Sequence, residues 1–186
     1  MVQHTKDVYR KEILEKRKSL TKEQISTASH SIERHLFSLQ KFIDAKSVAF
    51  YIPIHNEVDT AKMILHASQE KEILVPVTTN RIDLFRFTTF EDLVPAKYGI
   101  LEPKIKYPPS KNPDVIIIPG VAFGMCMHRI GYGQGYYDEL LKRLPNTFKI
   151  GLAYEFQILK KLPVHVHDEK MDLIITEKLA IKPGNL

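Results

Sequence analysis

Apolar positions along this chain change period several times, and each change marks an element. Val8, Tyr9, Ile13 and Leu14 form a stripe at helical spacing behind Thr5, a residue able to cap the helix, while Lys6 and Arg10 fall four apart on one face. Thr21 followed by Gln24 reads as a capping box, and Ile25, Ala28, Ile32, Leu36 and Leu39 carry a second amphipathic helix. From Ser47 the pattern becomes the short run SVAFYI, then a polar turn, then a helix from about Thr60 through Met63, Ile64 and Ala67, then the strand ILVPV at 73–77. That is a β-α-β unit. Arg81 to Thr88 alternates as a half-exposed strand.

Residues 91–113 hold Pro95, Pro103, Pro108, Pro109 and Pro113, a density that predicts a long surface connection, either a passive crossover or a lid. DVIIIPG at 114–120 is apolar on both faces and so reads as a central parallel strand. KIGLA near 149 and DLIIT near 172 supply two more strands. The alternation predicts one domain over 1–186, a three-layer α/β/α arrangement around an open, mainly parallel sheet of Rossmann-like type. Ligands of such sheets collect beyond the carboxyl ends of the strands.

One such end leads into RIGYGQGYYD at 129–138, which packs three glycines, three tyrosines, a cation and a carboxylate into ten residues. Glycines at 131, 133 and 135 permit positive φ and let backbone amides approach a ligand with no Cβ in the way. Asp138 opens an apolar run with Leu140, Leu141 and Leu144, so a helix starting near Gly135 adds unpaired N–H groups and its positive dipole end. The composition points to an anion-binding loop, with Arg129 as its full positive charge. Neither Gly-x-Gly-x-x-Gly nor the Gly-Lys-Ser/Thr phosphate loop fits, which argues against a common dehydrogenase or P-loop kinase.

Composition narrows the setting. The 186 residues are 44% hydrophobic, enough for one buried core. Cys126 is the one cysteine, no apolar run approaches a bilayer's thickness, and no signal-peptide pattern follows Met1, so a cytoplasmic protein without membrane attachment is expected, working as a monomer. The net charge of +5 is concentrated in residues 1–22, where seven Lys or Arg face three acids. Such a segment raises the question of nucleic acid, but its acids are interspersed and no aromatic series for base stacking accompanies it. Most of these cations read as a solvated helix face.

Several residues are candidates for chemistry. Asp138 and Asp172, if brought to one sheet end, can hold Mg²⁺ with phosphate oxygens. Glu57 follows a strand and can accept a ligand N–H, although a lone loop acid is more commonly solvated. His165, His167 and Asp168 are weak evidence for zinc at that spacing, and Cys126 has no evident activating neighbour. No Gly-x-Ser-x-Gly elbow or triad spacing supports a hydrolase.

Taken together, IIIPGVAF, Arg129, GYGQGYYD, the amino-terminal Lys6/Arg10 pair, NEVDT at 56–60, LAY and MDLIIT strongly resemble the 5-formyltetrahydrofolate cyclo-ligase family over nearly the whole chain. The resemblance implies ATP- and Mg²⁺-dependent closure of 5-formyltetrahydrofolate to 5,10-methenyltetrahydrofolate, with ADP and phosphate released through a phosphorylated formyl group. It implies that Lys6, Asp7, Val8, Tyr9 and Arg10 bind the nucleotide together with Arg129, Ile130, Gly131, Tyr132, Gly133, Gln134, Gly135, Tyr136 and Tyr137. Ile52, Glu57 and residues Tyr132 to Tyr136 would face the folate, polyglutamylated or not. Arg129 and Tyr136 would be the catalytic groups, and Asp138 with Asp172 would serve the metal. The chain departs from the family pattern at Gly124, where an acid is usual, at Met127, where a turn glycine is usual, at Gln134 and at Phe156. A related α/β enzyme acting on another anionic small molecule, and a basic nucleic-acid-binding protein, are the competing readings.

Overall fold

A computed structural model describes residues 2–184. Met1, Asn185 and Leu186, the ends of the expected domain, lie outside them. Three helices come first, α1 (Val2–Lys18), α2 (Lys22–Phe37) and the single turn α3 (Gln40–Ile43). There follow β1 (Ser47–Ala49), α4 (Ala61–Ala67), β2 (Glu72–Thr78), β3 (Ile82–Arg86), the hairpin β4 (Leu93–Pro95) and β5 (Leu101–Pro103), and β6 (Val115–Ile118). The chain continues through β7 (Ala122–Gly124), β8 (Arg129–Ile130), α5 (Tyr136–Lys142), β9 (Phe148–Leu152), β10 (Ile158–Leu159), β11 (Leu173–Ile175) and β12 (Ala180–Ile181).

Among the described residues the main sheet has seven strands in the order β12-β11-β9-β6-β1-β2-β3. Its five inner strands are parallel, and β12 and β3 close the two edges in antiparallel sense. The expected open α/β sheet is therefore present, with β6 at its centre. Alternation along β6 shows why a run apolar on both sides belongs there. Val115 and Ile117 face α2, α3 and α4 through Ile32, Leu36, Phe42, Met63 and Ile64, whereas Ile116 and Ile118 face Phe123 and the α5 leucines Leu140 and Leu141.

Helix α1 packs elsewhere. Its Ile13 meets Ala122 and Ile130 of a small three-stranded sheet, β10-β7-β8, and the adjoining Val121 and Leu162; sequence periodicity did not reveal this sheet because its strands are two or three residues long. Phe123 from β7 is wedged against the main sheet. A Cβ at Gly120 would stand 2.6 Å from its ring and one at Gly151 2.4 Å, so both glycines are needed for this close approach.

The capping box at Thr21 and Gln24 forms as predicted. Thr5, by contrast, lies inside α1, which starts earlier. Only the first half of SVAFYI is strand, and Tyr51 and Ile52 lie beyond its end. The proline-rich connection is mostly exposed, as a surface connection should be. It carries the β4–β5 hairpin, anchored where buried Glu102 accepts the Thr78 amide at 2.7 Å. No helix among the described residues is long and apolar enough to cross a membrane.

Thr21→Ala removes one half of the reciprocal cap and should lower stability by about 1 kcal/mol in chemical denaturation, without altering the far-ultraviolet circular dichroism of the native state.

Candidate active site

The strand order reverses between β1 and β6: chain order runs outward from β1 through β2 on one side and from β6 through β9 and β11 on the other. A crevice opens at the carboxyl ends of strands that diverge in this way. A cavity of about 400 Å³ lies there, bordered by Tyr51 and Ile52 after β1 and by Pro119 after β6.

One part of its wall is cationic and glycine-lined, with Lys6, Arg10, Arg129, Gly131, Gly133 and Gly135. Gly135 (φ 71) is the N-cap of α5 and Gly133 has φ 108, whereas Gly131 does not need the left-handed region expected for it. Another part is apolar and aromatic, with Ile52, Ile54, Pro76, Ile82, Ile100, Tyr136 and Tyr137. Tyr132, Gln134, Glu57 and Asp138 complete much of the rim.

Each cation is held by a carboxylate of its own. Buried Lys6 contacts Asp168 at 2.6 Å, Arg10 pairs with Asp7 while donating to the Gly131 carbonyl at 2.7 Å, and Arg129 Nη1 stands 3.1 Å from Asp138 Oδ1. That last contact has ion-pair distance but not hydrogen-bond direction, so buried Nη1 keeps a donor without a directed acceptor. Burial would raise the Asp168 carboxyl, but the His165 amide and Lys6 outweigh it and hold it below its ordinary range.

Glu57 is 5% exposed, not the solvated loop acid its sequence context favours. Its Oε1 accepts from the Tyr132 hydroxyl at 2.9 Å and its Oε2 from the Ile54 amide at 3.1 Å. Burial nevertheless raises its pKa, with Arg17, the Ile54 amide and Tyr132 pulling the other way. Burial and the Glu57 charge together push the Tyr132 phenol upward, so it stays protonated and donates.

The predicted site residues divide clearly. Lys6, Arg10, Ile52, Glu57, Arg129, Asp138 and the loop from Gly131 to Tyr137 meet in one cavity. Asp7, Val8, Tyr9 and Ile130 are not on its wall. A helix turns only positions such as 6 and 10 toward one side, so Asp7 is left to pair with Arg10, Val8 is exposed, and Tyr9 packs with buried Ile130 against the Ile13 group. Nor does Asp172 join Asp138. It precedes β11, at the amino end of the parallel strands, where its carboxylate accepts the Lys149 amide at 2.8 Å. Among the described residues no group of three or more His, Cys, Asp or Glu could hold a metal by itself.

Sequence reasoning missed Arg17, Asp168 and the ring of Tyr51. Asp168 carried a signal, its place beside two histidines, but that was read for zinc and not as the partner of a lysine 162 residues away. The unusual β7–β8 turn is also explained. A side chain at Gly124 would put its Cβ 2.8 Å from that of Leu162, and Met127 occupies the left-handed region (φ 67) where glycine is easier, its side chain buried against the α5 face. Phe156 stacks on Tyr154 and packs between two core clusters.

Because the folded state raises the Glu57 pKa above an ordinary value near 4.5, the native protein binds that proton more tightly than the unfolded chain. The wild type should therefore lose stability relative to Glu57→Gln as pH rises above about 4.5, a trend read from paired urea titrations at acid and neutral pH.

The model of the 5-formyltetrahydrofolate cyclo-ligase family matches residues 2–177. The 5-formyltetrahydrofolate cyclo-ligase of Haemophilus influenzae is 30% identical over 169 residues, covering 86% of this chain and 90% of that protein. That of Escherichia coli K12 is 26% identical over 174 residues, covering 88% and 96%. The nuclear magnetic resonance structure of Aquifex aeolicus 5,10-methenyltetrahydrofolate synthetase superposes with a TM-score of 0.86 at 36% identity, covering 97% of this chain and 94% of that one. A 5,10-methenyltetrahydrofolate synthetase from Mycoplasma pneumoniae gives 0.73 at 27% identity, with 92% and 98% covered. A family match over nearly all of its length, on a fold whose cavity gathers the motif residues, makes this chain a member of the 5-formyltetrahydrofolate cyclo-ligase family.

Proposed function

We propose that residues 1–186 form a single enzyme domain that converts 5-formyltetrahydrofolate to 5,10-methenyltetrahydrofolate at the expense of ATP, with Mg²⁺. The observation that carries the reading is one cavity with two chemistries, a cationic glycine loop beside an apolar, aromatic wall that also presents Glu57. The first suits a polyphosphate and the second a flat heteroaromatic ring with an N–H for the carboxylate.

The chemistry explains why such a wall suffices. A formyl oxygen is a poor leaving group. Transfer of the terminal phosphoryl group of ATP to that oxygen releases ADP and gives an iminophosphate. The folate N10 then bonds to the same carbon, N10 loses its proton, and the C–O bond breaks with phosphate as leaving group. Positioning and charge stabilisation do the work, and no protein nucleophile is required. Lys6, Arg10 and Arg129 are the cations in this reading, and the amides of 131–135 line the phosphates. The Arg129 donor without a directed acceptor is suited to an incoming anionic oxygen. Tyr136 is the aromatic neighbour of the reacting group.

The metal fits one carboxylate better than two. Asp138 on the cavity wall can hold Mg²⁺ together with phosphate oxygens, whereas Asp172 lies off that wall, at the amino end of the parallel strands. When bound, the ion would neutralise charge on the phosphates. The lone Cys126 accords with a reducing compartment, and we assign the enzyme to the cytoplasm.

The test is growth of methenyltetrahydrofolate absorbance when the protein meets 5-formyltetrahydrofolate, Mg²⁺ and ATP. ATP-dependent product supports the reading, and a folded protein giving none removes it. Arg129→Ala and Asp138→Ala should each lower kcat by about a hundredfold or more with the fold retained. Wild-type rates in the folded variants would take both residues out of the mechanism.

A further inference from the structure

Arg17 does not line the cavity, yet it is fully buried, more so than Lys6 or Arg129. Its guanidinium reaches three separate segments. Nε donates to the His55 carbonyl at 2.9 Å, Nη1 to the Gly120 carbonyl at 3.3 Å, and Nη2 to the Tyr132 hydroxyl. Nη1 also stands 3.8 Å from Glu57 Oε1, the oxygen that accepts from Tyr132. The main chain of Arg17 takes part as well, since Asn56 Nδ2 donates to its carbonyl at 3.2 Å.

One of the segments it holds is strained. His55 (φ 49) and Asn56 (φ 58) are consecutive non-glycine residues in the left-handed region, at the tip of the turn that presents Glu57 to the cavity. Such a conformation is unfavourable for a residue with a side chain and persists only where its surroundings over-determine it. Here the surroundings are Arg17, through the His55 carbonyl and the Asn56 amide, and the Ile54–Glu57 turn bond at 3.0 Å.

We propose that Arg17 is a positioning residue that sets the spacing between the folate-facing turn 54–57 and Tyr132 of the glycine loop. It acts through Glu57 and Tyr132 and touches no ligand. A planar fork with five donors can meet acceptors from turn 54–57, Gly120 and Tyr132 together, whereas the compact ammonium of lysine cannot span them. The proposal takes its substrate from the cyclo-ligase reading, and its geometry stands independently of it.

Arg17→Lys keeps the charge and loses the fork. In the folded variant the KM for 5-formyltetrahydrofolate should rise about tenfold or more while the KM for ATP stays within about twofold, since Arg17 meets the glycine loop only at the Tyr132 hydroxyl and the cations Lys6, Arg10 and Arg129 are held by Asp168, Gly131 and Asp138 instead. Tyr132→Phe cuts the same link from its half-exposed end and should raise the folate KM in the same way. The double variant should lose little more than the worse single one, because both changes break one chain of contacts. Amide hydrogen exchange over 54–58 should also quicken in Arg17→Lys, a readout that needs no turnover. An unchanged folate KM, a parallel rise in both KM values, additive losses, or unchanged exchange at 54–58 would each overturn the proposal. If Arg17→Lys does not fold, an unchanged folate KM in Tyr132→Phe does so alone. Absence of ATP-dependent turnover in the wild type would remove the cyclo-ligase reading while leaving the exchange experiment to judge Arg17.

Discussion

The parallel pairing of β1 with β6, Val48 opposite Val115 and Ala49 opposite Ile116, is the constraint on which the rest of this molecule depends. Because the chain leaves these neighbours in opposite directions, their carboxyl ends cannot be covered by one connection, and a crevice remains. Tyr51, Ile52 and Glu57 descend from one strand, and Pro119 with the chain toward the glycine loop descends from the other. Two layers of apolar side chains, one on each face, hold that pairing. Phe123, seated where Gly120 and Gly151 leave room, locks the small sheet that carries Arg129 onto the same frame.

Charge is then built into the crevice in pairs. Lys6 with Asp168, Arg10 with Asp7, Arg17 with Glu57 and Arg129 with Asp138 each lodge a cation beside an acid, which reduces the cost of taking the cation from water. The pairs differ in what an anion can do to them. Arg17 has all its neighbours inside the protein and no ligand-facing surface, so its pairing is architectural. Arg129 lies on the cavity wall with a donor that no acceptor satisfies in direction, so its pairing leaves capacity for an incoming anionic oxygen. The difference follows from where each guanidinium's donors point.

The residues at the two departures in the β7–β8 turn are each fitted to their local packing. A usual acid at position 124 would collide with Leu162, and the glycine found there is what that contact permits. Met127 accepts an unfavourable φ in exchange for a buried side chain against the α5 face, next to the Met171 amide that bonds its carbonyl at 2.7 Å. Neither change reaches the cavity wall.

By itself the sequence determined the helices α1 and α2, the both-faces-apolar strand β6 and the glycine loop ahead of α5, because each is a matter of local periodicity, capping or steric freedom within a dozen residues, and the order of motifs along nearly the whole chain carried the family resemblance. Lys6 and Arg10 were legible for the same reason, as one face of one helix. Tertiary structure decided the rest. It turned Arg17 from an apparent surface cation into a buried one, made Glu57 a desolvated carboxyl, supplied Asp168 to Lys6 and left Asp172 at the far end of its strand. Burial and ion pairing depend on which distant segments meet, here as far apart as residues 6 and 168, and no local pattern of polar and apolar positions encodes such a meeting.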